Sequence, residues 1–172
     1  MAIGAETERG RAVYLTSIDL PLDVRAASVG LLNARLADAI DLAAQLKHAH
    51  WNIHGPHFGT LHLLFDELRD EVDVQADLMA ERVATFGETA QGTLPQVVAA
   101  SCLAAYPADA KSEHTHLVAL ATAFAAYCAN LRRDIKAAAE AGDPGTADIL
   151  TEISRLADRQ LWKVEAHFRP AR

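Results

Sequence analysis

The stretch from Leu61 to Phe86 contains neither glycine nor proline, and this feature most constrains the fold. Glycine and proline are the residues that most often interrupt regular structure, so a stretch of this length without them predicts one long helix. We place this helix from about His57 to Phe86. Gly87 then follows as a residue well suited to end it.

Four side chains on this predicted helix form two pairs with helical spacing. His62 and Asp66 are four residues apart, so they share one face of the helix. Asp77 and Glu81 are also four residues apart and share a face. Imidazole and carboxylate together make a ligand set that iron accepts, although ligand type alone does not separate iron from manganese or zinc.

The two pairs are too far apart to hold one ion within a single chain. Their midpoints are fifteen residues apart, which corresponds to roughly 22 Å along a helix. If the helix packs antiparallel against a copy of itself about a two-fold axis, the first pair of one chain comes level with the second pair of the other. The spacing therefore predicts two equivalent metal sites per dimer. His50, at the end of the preceding helix, is the candidate that completes each site.

Three further long helices and one short helix are predicted around this one. The first long helix runs from about Leu22 to Asn52, with apolar residues every three or four positions. A short helix is predicted from Leu94 to Ala100, within a long connection. The last two helices are predicted from about Ala110 to Ala141 and from about Thr146 to His167. This order indicates an all-α, ferritin-like four-helix bundle with a short helix in the long connection.

The length of 172 residues suggests a single domain. Residues 1–21 are predicted to form an N-terminal tail and residues 22–168 the helical domain. Residues 169–172 are predicted to form a C-terminal tail.

The residues around the predicted ligands resemble a known family. The run Lys47-His-Ala-His-Trp-Asn-Ile-His-Gly-Pro is followed by Leu61-His62, by Phe65-Asp66, and by Asp77-Leu-Met-Ala-Glu81-Arg82. This pattern resembles the Dps family, the mini-ferritins named as DNA-protecting proteins of starved cells. The similarity extends from about Leu22 to about Phe168.

The resemblance implies an intersubunit ferroxidase site. In the Dps family, the residues that match His50, His62 and Asp66 come from one chain. Those that match Asp77 and Glu81 come from its two-fold mate. The resemblance further implies a hollow shell of twelve subunits that oxidises Fe(II) with hydrogen peroxide, or less readily with O2, and stores the Fe(III) as mineral. Such a protein protects a cell against iron and peroxide.

Two other functions remain open on the same sequence features. The protein could compact DNA and carry a vestigial metal site, or it could store zinc or manganese with the same ligands. The formal net charge is −7, and the first twenty residues contain no lysine. Because DNA binding depends on cationic contacts to phosphates, the sequence predicts weak or absent DNA binding.

Cysteine usage and hydropathy bear on the compartment. Cys102 and Cys128 lack C-x-x-C spacing and are predicted to be free thiols in a reducing environment. The sequence shows no evident signal peptide and no apolar stretch long enough to span a membrane. These features predict a cytoplasmic protein.

Each candidate ligand has a simpler explanation when taken alone. A His-Asp pair on a helix is more often a surface hydrogen bond, and like charges four residues apart usually form a solvated face. The combination favours a metal site, because apolar residues flank the acidic positions and a desolvated carboxylate pair needs a cation. Trp51 is predicted either to be a core residue or, as the Dps resemblance implies, to lie beside the site and take up oxidising equivalents.

Other histidines occur near the turn that follows the first long helix. His48, His54 and His57 are predicted to be exposed loop residues, and the alternative is an auxiliary metal site formed by His54 and His57. Glu113 and His116 form a single E-x-x-H motif. We interpret this motif as a surface feature, because di-iron carboxylate bundles need it on two helices.

Three acidic residues surround the start of the last helix, namely Asp143, Asp148 and Glu152. Acidic residues near a helix N-terminus are favourable in any case. The Dps resemblance implies that residues in this region line pores at three-fold axes through which iron enters. Asp148 is the strongest of the three candidates.

Overall fold

The computed structural model describes residues 15–168, which form five α-helices. These are α1 (Leu22–Asn52), α2 (Phe58–Thr85), α3 (Leu94–Ala100), α4 (Glu113–Ala141) and α5 (Pro144–Glu165). The all-α prediction and the predicted order of the helices are confirmed. Within these residues no helix has both the length and the apolar character needed to cross a membrane.

The four long helices pack as two pairs. α1 lies along α2 and α4 lies along α5, while contacts of α1 with α4 and of α2 with α5 join the pairs into a bundle. The centre of the bundle is apolar, and Leu42, Phe65, Leu68, Phe124 and Ile153 expose no surface. Burial of each such side chain contributes about 1.5–3 kcal/mol, so the apolar centre is the main source of stability.

Side-chain caps set the starts of α4 and α5. α4 begins later than predicted, because Ser112 Oγ accepts a hydrogen bond from the backbone N–H of Thr115 at 3.1 Å. α5 begins earlier than predicted, because Asp143 Oδ1 accepts one from the backbone N–H of Thr146 at 3.0 Å. Gly142 ends α4 with a φ of +91°, a left-handed conformation that glycine adopts without a steric penalty.

A buried ionic cluster joins α1 to α4. Arg35 is 1% exposed, and its Nη1 lies 2.7 Å from Asp38 Oδ2 while its Nε lies 3.1 Å from Asp134 Oδ2. Asp38 also accepts hydrogen bonds from the backbone N–H of Cys102 and from Asn130 Nδ2. The cluster fixes α1 against α4, because separating buried charges from their partners is strongly unfavourable.

Part of the segment predicted as an N-terminal tail contacts the domain. Ile18 and Leu20 are partly buried against the core. The rest of the two predicted tails, residues 1–14 and 169–172, lies outside the described residues.

Candidate metal centre

A short turn between α1 and α2 brings His50 and His62 together. His50 lies in the last turn of α1, and His62 lies near the start of α2. Gly55 in this turn has a φ of +150°, and a Cβ atom built there would lie within 2.5 Å of the Glu113 side chain. Glycine is therefore required at this position by backbone conformation and by space.

His50 and His62 hold each other by two crossed hydrogen bonds. His50 Nδ1 lies 2.8 Å from the backbone oxygen of His62, and His62 Nδ1 lies 2.9 Å from the backbone oxygen of His50. The rings stack with their centroids 3.6 Å apart. Because a carbonyl oxygen only accepts, both Nδ1 atoms must carry the proton. Each neutral ring then presents its Nε2 lone pair, which is the arrangement that metal-binding histidines use.

Asp66 lies next to this pair and is held by a lysine. Its Oδ1 is 2.6 Å from Lys47 Nζ and 3.9 Å from His50 Nδ1. The hydrogen bond from Lys47 is the largest effect on the pKa of Asp66 and lowers it, and together with the charges of Lys47 and Arg69 it outweighs desolvation. The carboxylate is therefore ionised at neutral pH. The contact of Lys47 with Asp66 was not predicted from the sequence, although Lys47 lies three residues before His50 on α1.

Asp77 and Glu81 are exposed on the outer surface of α2, away from the two histidines. Asp77 lines a shallow cleft with Leu36 and Ile40 of α1. Among residues 15–168, no group of three or more His, Cys, Asp or Glu side chains is arranged to hold a metal within one chain. The structure thus brings together His50, His62 and Asp66 and leaves the second acidic pair apart.

Comparisons with known proteins identify the family. A family model described as a ferritin-like domain matches residues 29–172. A DNA protection during starvation protein from Agrobacterium fabrum is 44% identical over 154 residues, covering 90% of this chain and 95% of that protein. The chain belongs to the Dps family of ferritin-like proteins. This family membership confirms the resemblance inferred from the sequence motifs.

Solved Dps structures share the fold. DpsC from Streptomyces coelicolor has a TM-score of 0.88 at 30% identity, covering 93% of this chain and 94% of that one. A tetragonal form of Mycobacterium smegmatis Dps has a TM-score of 0.87 at 28% identity, covering 92% of this chain and 95% of that one. The predicted ferritin-like fold is therefore confirmed.

Trp51 is not a core residue in this Dps chain. Its side chain follows His50 on α1 and is 69% exposed. The prediction that it lies beside the site remains a prediction.

The Glu113–His116 motif is not a surface feature, and that interpretation was wrong. His116 has no exposed surface, and its Nδ1 lies 2.6 Å from the Tyr106 hydroxyl. Burial is the largest effect on the pKa of His116 and lowers it, together with the nearby His48 and His54. Burial also raises the pKa of Tyr106. Tyr106 therefore donates to His116, which remains neutral at neutral pH.

Glu113, the first residue of this motif, holds the turn between α1 and α2 in place. Glu113 accepts hydrogen bonds from the backbone N–H of His57 and from its Nδ1, the latter at 3.0 Å. The hydrogen bond from the His57 side chain is the largest cause of the lowered pKa of Glu113. His54 and His57 are exposed as predicted, but His48 is half-buried on α1 and packs edge-on against the Tyr106 ring. The auxiliary site at His54 and His57 remains a prediction.

Asp143 has a structural position that does not fit the predicted pore role. It is 1% exposed, caps α5, and lies 3.0 Å from Arg82 Nη2. Burial would raise its pKa, but hydrogen bonds from Thr146 and Ser28 and the charge of Arg82 lower it overall. Asp148 and Glu152 are exposed, so their accessibility is compatible with a pore.

Proposed function

We propose that this protein is a ferroxidase that oxidises Fe(II) at sites shared between two subunits and stores the resulting Fe(III). One observation carries the proposal. The crossed hydrogen bonds of His50 and His62 engage both Nδ1 atoms with backbone oxygens and leave both Nε2 atoms for a metal, while Asp66 lies beside the pair. A neutral imidazole fixed by a backbone acceptor is an ordered metal ligand.

The second half of each site comes from another copy of the chain. An antiparallel two-fold pairing of α2 with itself places Asp77 and Glu81 of one subunit beside His50, His62 and Asp66 of the other. Exposure of Asp77 and Glu81 in the single chain supports this, because side chains destined for an intersubunit site are accessible before assembly. Three carboxylates and two imidazoles suit Fe(II), and the three negative charges offset most of the positive charge of two Fe(II) ions.

The reaction has a simple electron balance. Two Fe(II) ions each give one electron to one hydrogen peroxide molecule, and two protons are consumed to yield two Fe(III) ions and two water molecules. Supplying both electrons together avoids release of hydroxyl radical. O2 is the slower alternative oxidant. The chain contributes position and negative charge, while the metal ions are the redox-active substrate.

Storage requires an enclosed assembly, which we propose is a dodecameric shell built from two-fold dimers. Asp148 and Glu152, both exposed at the start of α5, are the candidates for an acidic entry path. The two cysteines of the chain, Cys102 and Cys128, are free thiols, which fits a reducing cytoplasm.

DNA compaction is the alternative function, and the name of the Agrobacterium relative includes DNA protection. The net charge of −7 works against phosphate binding. We therefore propose that protection by this chain acts mainly through iron and peroxide. Tight, saturable and salt-sensitive binding to a DNA duplex in a gel-shift assay would instead support compaction.

A subunit-complementation experiment tests the shared site. One variant carries His50→Ala and His62→Ala, and the other carries Asp77→Ala and Glu81→Ala. Each homo-oligomer should bind Fe(II) poorly in anaerobic titration and oxidise it no faster than buffer after a peroxide pulse. Co-expressed mixed assemblies regain one intact site per heterodimer, so binding and rapid oxidation should return in part.

The outcomes of this experiment separate the candidate functions. Recovery at about one peroxide per two irons supports the proposed ferroxidase. Full activity in either homo-oligomer would place the site elsewhere. Tight Zn(II) or Mn(II) binding without any oxidation of Fe(II) would support a non-redox metal store that uses the same ligands.

A further inference from the structure

Gly30 lies in the interior of α1, where glycine is unfavourable. A glycine in a helix interior is destabilising relative to alanine. A Cβ atom built at Gly30 meets nothing within 4 Å, so a larger side chain would fit within this chain. Packing inside the subunit therefore does not explain the glycine.

Gly30 lines a pocket on the outer face of α1. The pocket has a volume of about 290 Å³. Small or polar residues form it, namely Ala26, Val29, Gly30, Asn33 and Ala34 of α1 together with Gln91 and Ala100. Asn33 closes one side, because its Oδ1 accepts a hydrogen bond from the backbone N–H of Gln91 at 2.9 Å. The pocket is open to solvent and has room for an aromatic ring.

Trp51 lies on the same face of α1 as this pocket. Asn33 precedes Trp51 by eighteen residues, which at about 3.6 residues per turn is five full turns, so the two side chains point in the same direction. Trp51 is 69% exposed, whereas a tryptophan that carries binding energy is normally buried in a partner's pocket.

The register of α1 on α2 is fixed by two contacts. His50 stacks on His62, and Lys47 pairs with Asp66. The two helices are therefore antiparallel, and each step toward the N-terminus of α1 corresponds to a step toward the C-terminus of α2. The middle of α2, between Glu71 and Val72, is consequently level with the middle of α1, near Ile40 and Asp41.

The proposed two-fold axis passes through this middle level. An axis at this level pairs His62 of one subunit with Glu81 of a second copy, and Asp66 with Asp77. Gly30 and Trp51 lie at equal distances on either side of it, about 16 Å each at 1.5 Å per residue. Trp51 of one subunit is thus brought opposite Gly30 of the second copy.

We propose that Trp51 of each subunit inserts into the pocket at Gly30 of its two-fold mate. This inference rests on the proposed shared metal site, because that site sets the register. The missing side chain at Gly30 makes room for the indole ring, and the Gln91 amide offers an acceptor for the indole N–H. Since Trp51 follows His50 directly, the insertion also holds the histidine half of each centre against the acidic half.

The test uses the full chain with Trp162→Phe, which leaves Trp51 as the only indole because the chain has two tryptophans. Acrylamide quenching of the metal-free assembly reports the accessibility of Trp51. Gly30→Leu fills the pocket, and Gly30→Ala is the matched control. Alanine and leucine have similar helix propensities, so the difference between the two variants reports pocket volume alone.

Trp51 should be protected from acrylamide in the parent, partly accessible in Gly30→Ala and fully accessible in Gly30→Leu, because the room for the indole ring decreases as the side chain at residue 30 grows. Dimer affinity should fall about thirty-fold in Gly30→Leu, as expected for displacing a tryptophan anchor. Trp51→Ala should cause a similar loss, and adding Gly30→Leu to it should change little, because both changes remove the same contact.

Equal accessibility of Trp51 in all variants would overturn the inference, and so would additive effects of the two substitutions. The subunit-complementation experiment is independent of this result. Recovered iron oxidation with an accessible Trp51 would retain the shared centre and remove the insertion. Failed complementation with a protected Trp51 would refute the shared centre and leave a two-fold interface of the same register.

Discussion

His50 Nδ1 lies 2.8 Å from the backbone oxygen of His62, and the reverse contact is 2.9 Å. Each imidazole is therefore oriented by the backbone of the other residue before any metal binds. Replacement of one ring removes a ligand and the ring stack, but the backbone oxygen that orients its partner remains. Because both rings serve the same proposed metal centre, their single substitutions should be strongly non-additive for metal binding.

His62→Phe tests this relationship while retaining an aromatic ring against His50. We expect the substitution to remove most Co(II) or Fe(II) binding in anaerobic calorimetry, and the increase in Tm on metal addition should disappear with it. His167→Phe is the matched control, because His167 is an exposed residue just after α5 whose Nδ1 also contacts a backbone oxygen. Unchanged metal binding in His62→Phe would contradict the assigned ligand.

Lys47 is expected to compete with metal for Asp66. The ammonium group lies 2.6 Å from Oδ1, so it must move or share the carboxylate when a cation binds. In Lys47→Met the pKa of Asp66 should rise toward its usual 3.8 and the group should remain ionised at pH 7. Removal of the competitor should then tighten Co(II) binding, but by no more than about five-fold, because partly exposed ion pairs are weak.

Lys136→Met is the control for this substitution. Lys136 also pairs with a carboxylate, Glu140, on an exposed helix surface. It lies far along α4 from the predicted ligands, so its removal should leave Co(II) affinity unchanged. A weaker site in Lys47→Met would show that the lysine positions Asp66 and does not compete for it.

Periodicity and spacing predicted most of the fold. The bounds of α1 and α3 agree with the sequence interpretation, because Pro21 and Thr93-Leu94-Pro95 mark their starts clearly. The spacing of His62 and Asp66 likewise predicted a shared face on one helix. These features depend on residues close in sequence, whose geometry the helix itself determines.

Contacts between distant segments could not be predicted in the same way. The role of Asp143 depends on Ser28 and Arg82, and the burial of His116 depends on Tyr106. The local sequence of an acidic cap or of an E-x-x-H motif is the same whether the residues lie on the surface or in the interior. Only tertiary packing decides which one applies.

His116 should make the protein less stable in mild acid. Burial holds its pKa below 6.5, the value expected in the unfolded chain. Above pH 6.5 the imidazole is neutral in both states and has no effect. As the pH falls below 6.5 the unfolded chain binds the proton first, so the free energy of unfolding decreases until the folded state is protonated too.

His116→Gln removes this proton uptake. Urea unfolding at fixed protein concentration, repeated from pH 7.5 downward, should show a shallower acid-side decline than in the parent. The lowered carboxyl pKa values of Glu113 and Asp143 act only near or below pH 4.5 and do not affect this window. Parallel curves for the parent and the variant would place the acid sensitivity in other groups.

Arg35 should be the most sensitive charged residue of the bundle. It is buried between Asp38 and Asp134, with contacts of 2.7 and 3.1 Å. Arg35→Met leaves the buried Asp38 without its cation and Asp134 with only the exposed Arg133, and loss of one partner of a buried pair costs about 3–5 kcal/mol. We expect a decrease of this size in the free energy of unfolding, measured by urea denaturation at fixed protein concentration.

Arg133→Met provides the matched control. Arg133 lies on the protein surface, and its Nε is 3.0 Å from Oδ1 of the same Asp134. Its side chain is 63% exposed, and an exposed ion pair contributes about 0–1 kcal/mol. The two substitutions remove the same chemical group near the same carboxylate, so burial accounts for the difference between them. Equal losses in the two variants would show that the Arg35 cluster is hydrated and that its burial does not determine its contribution.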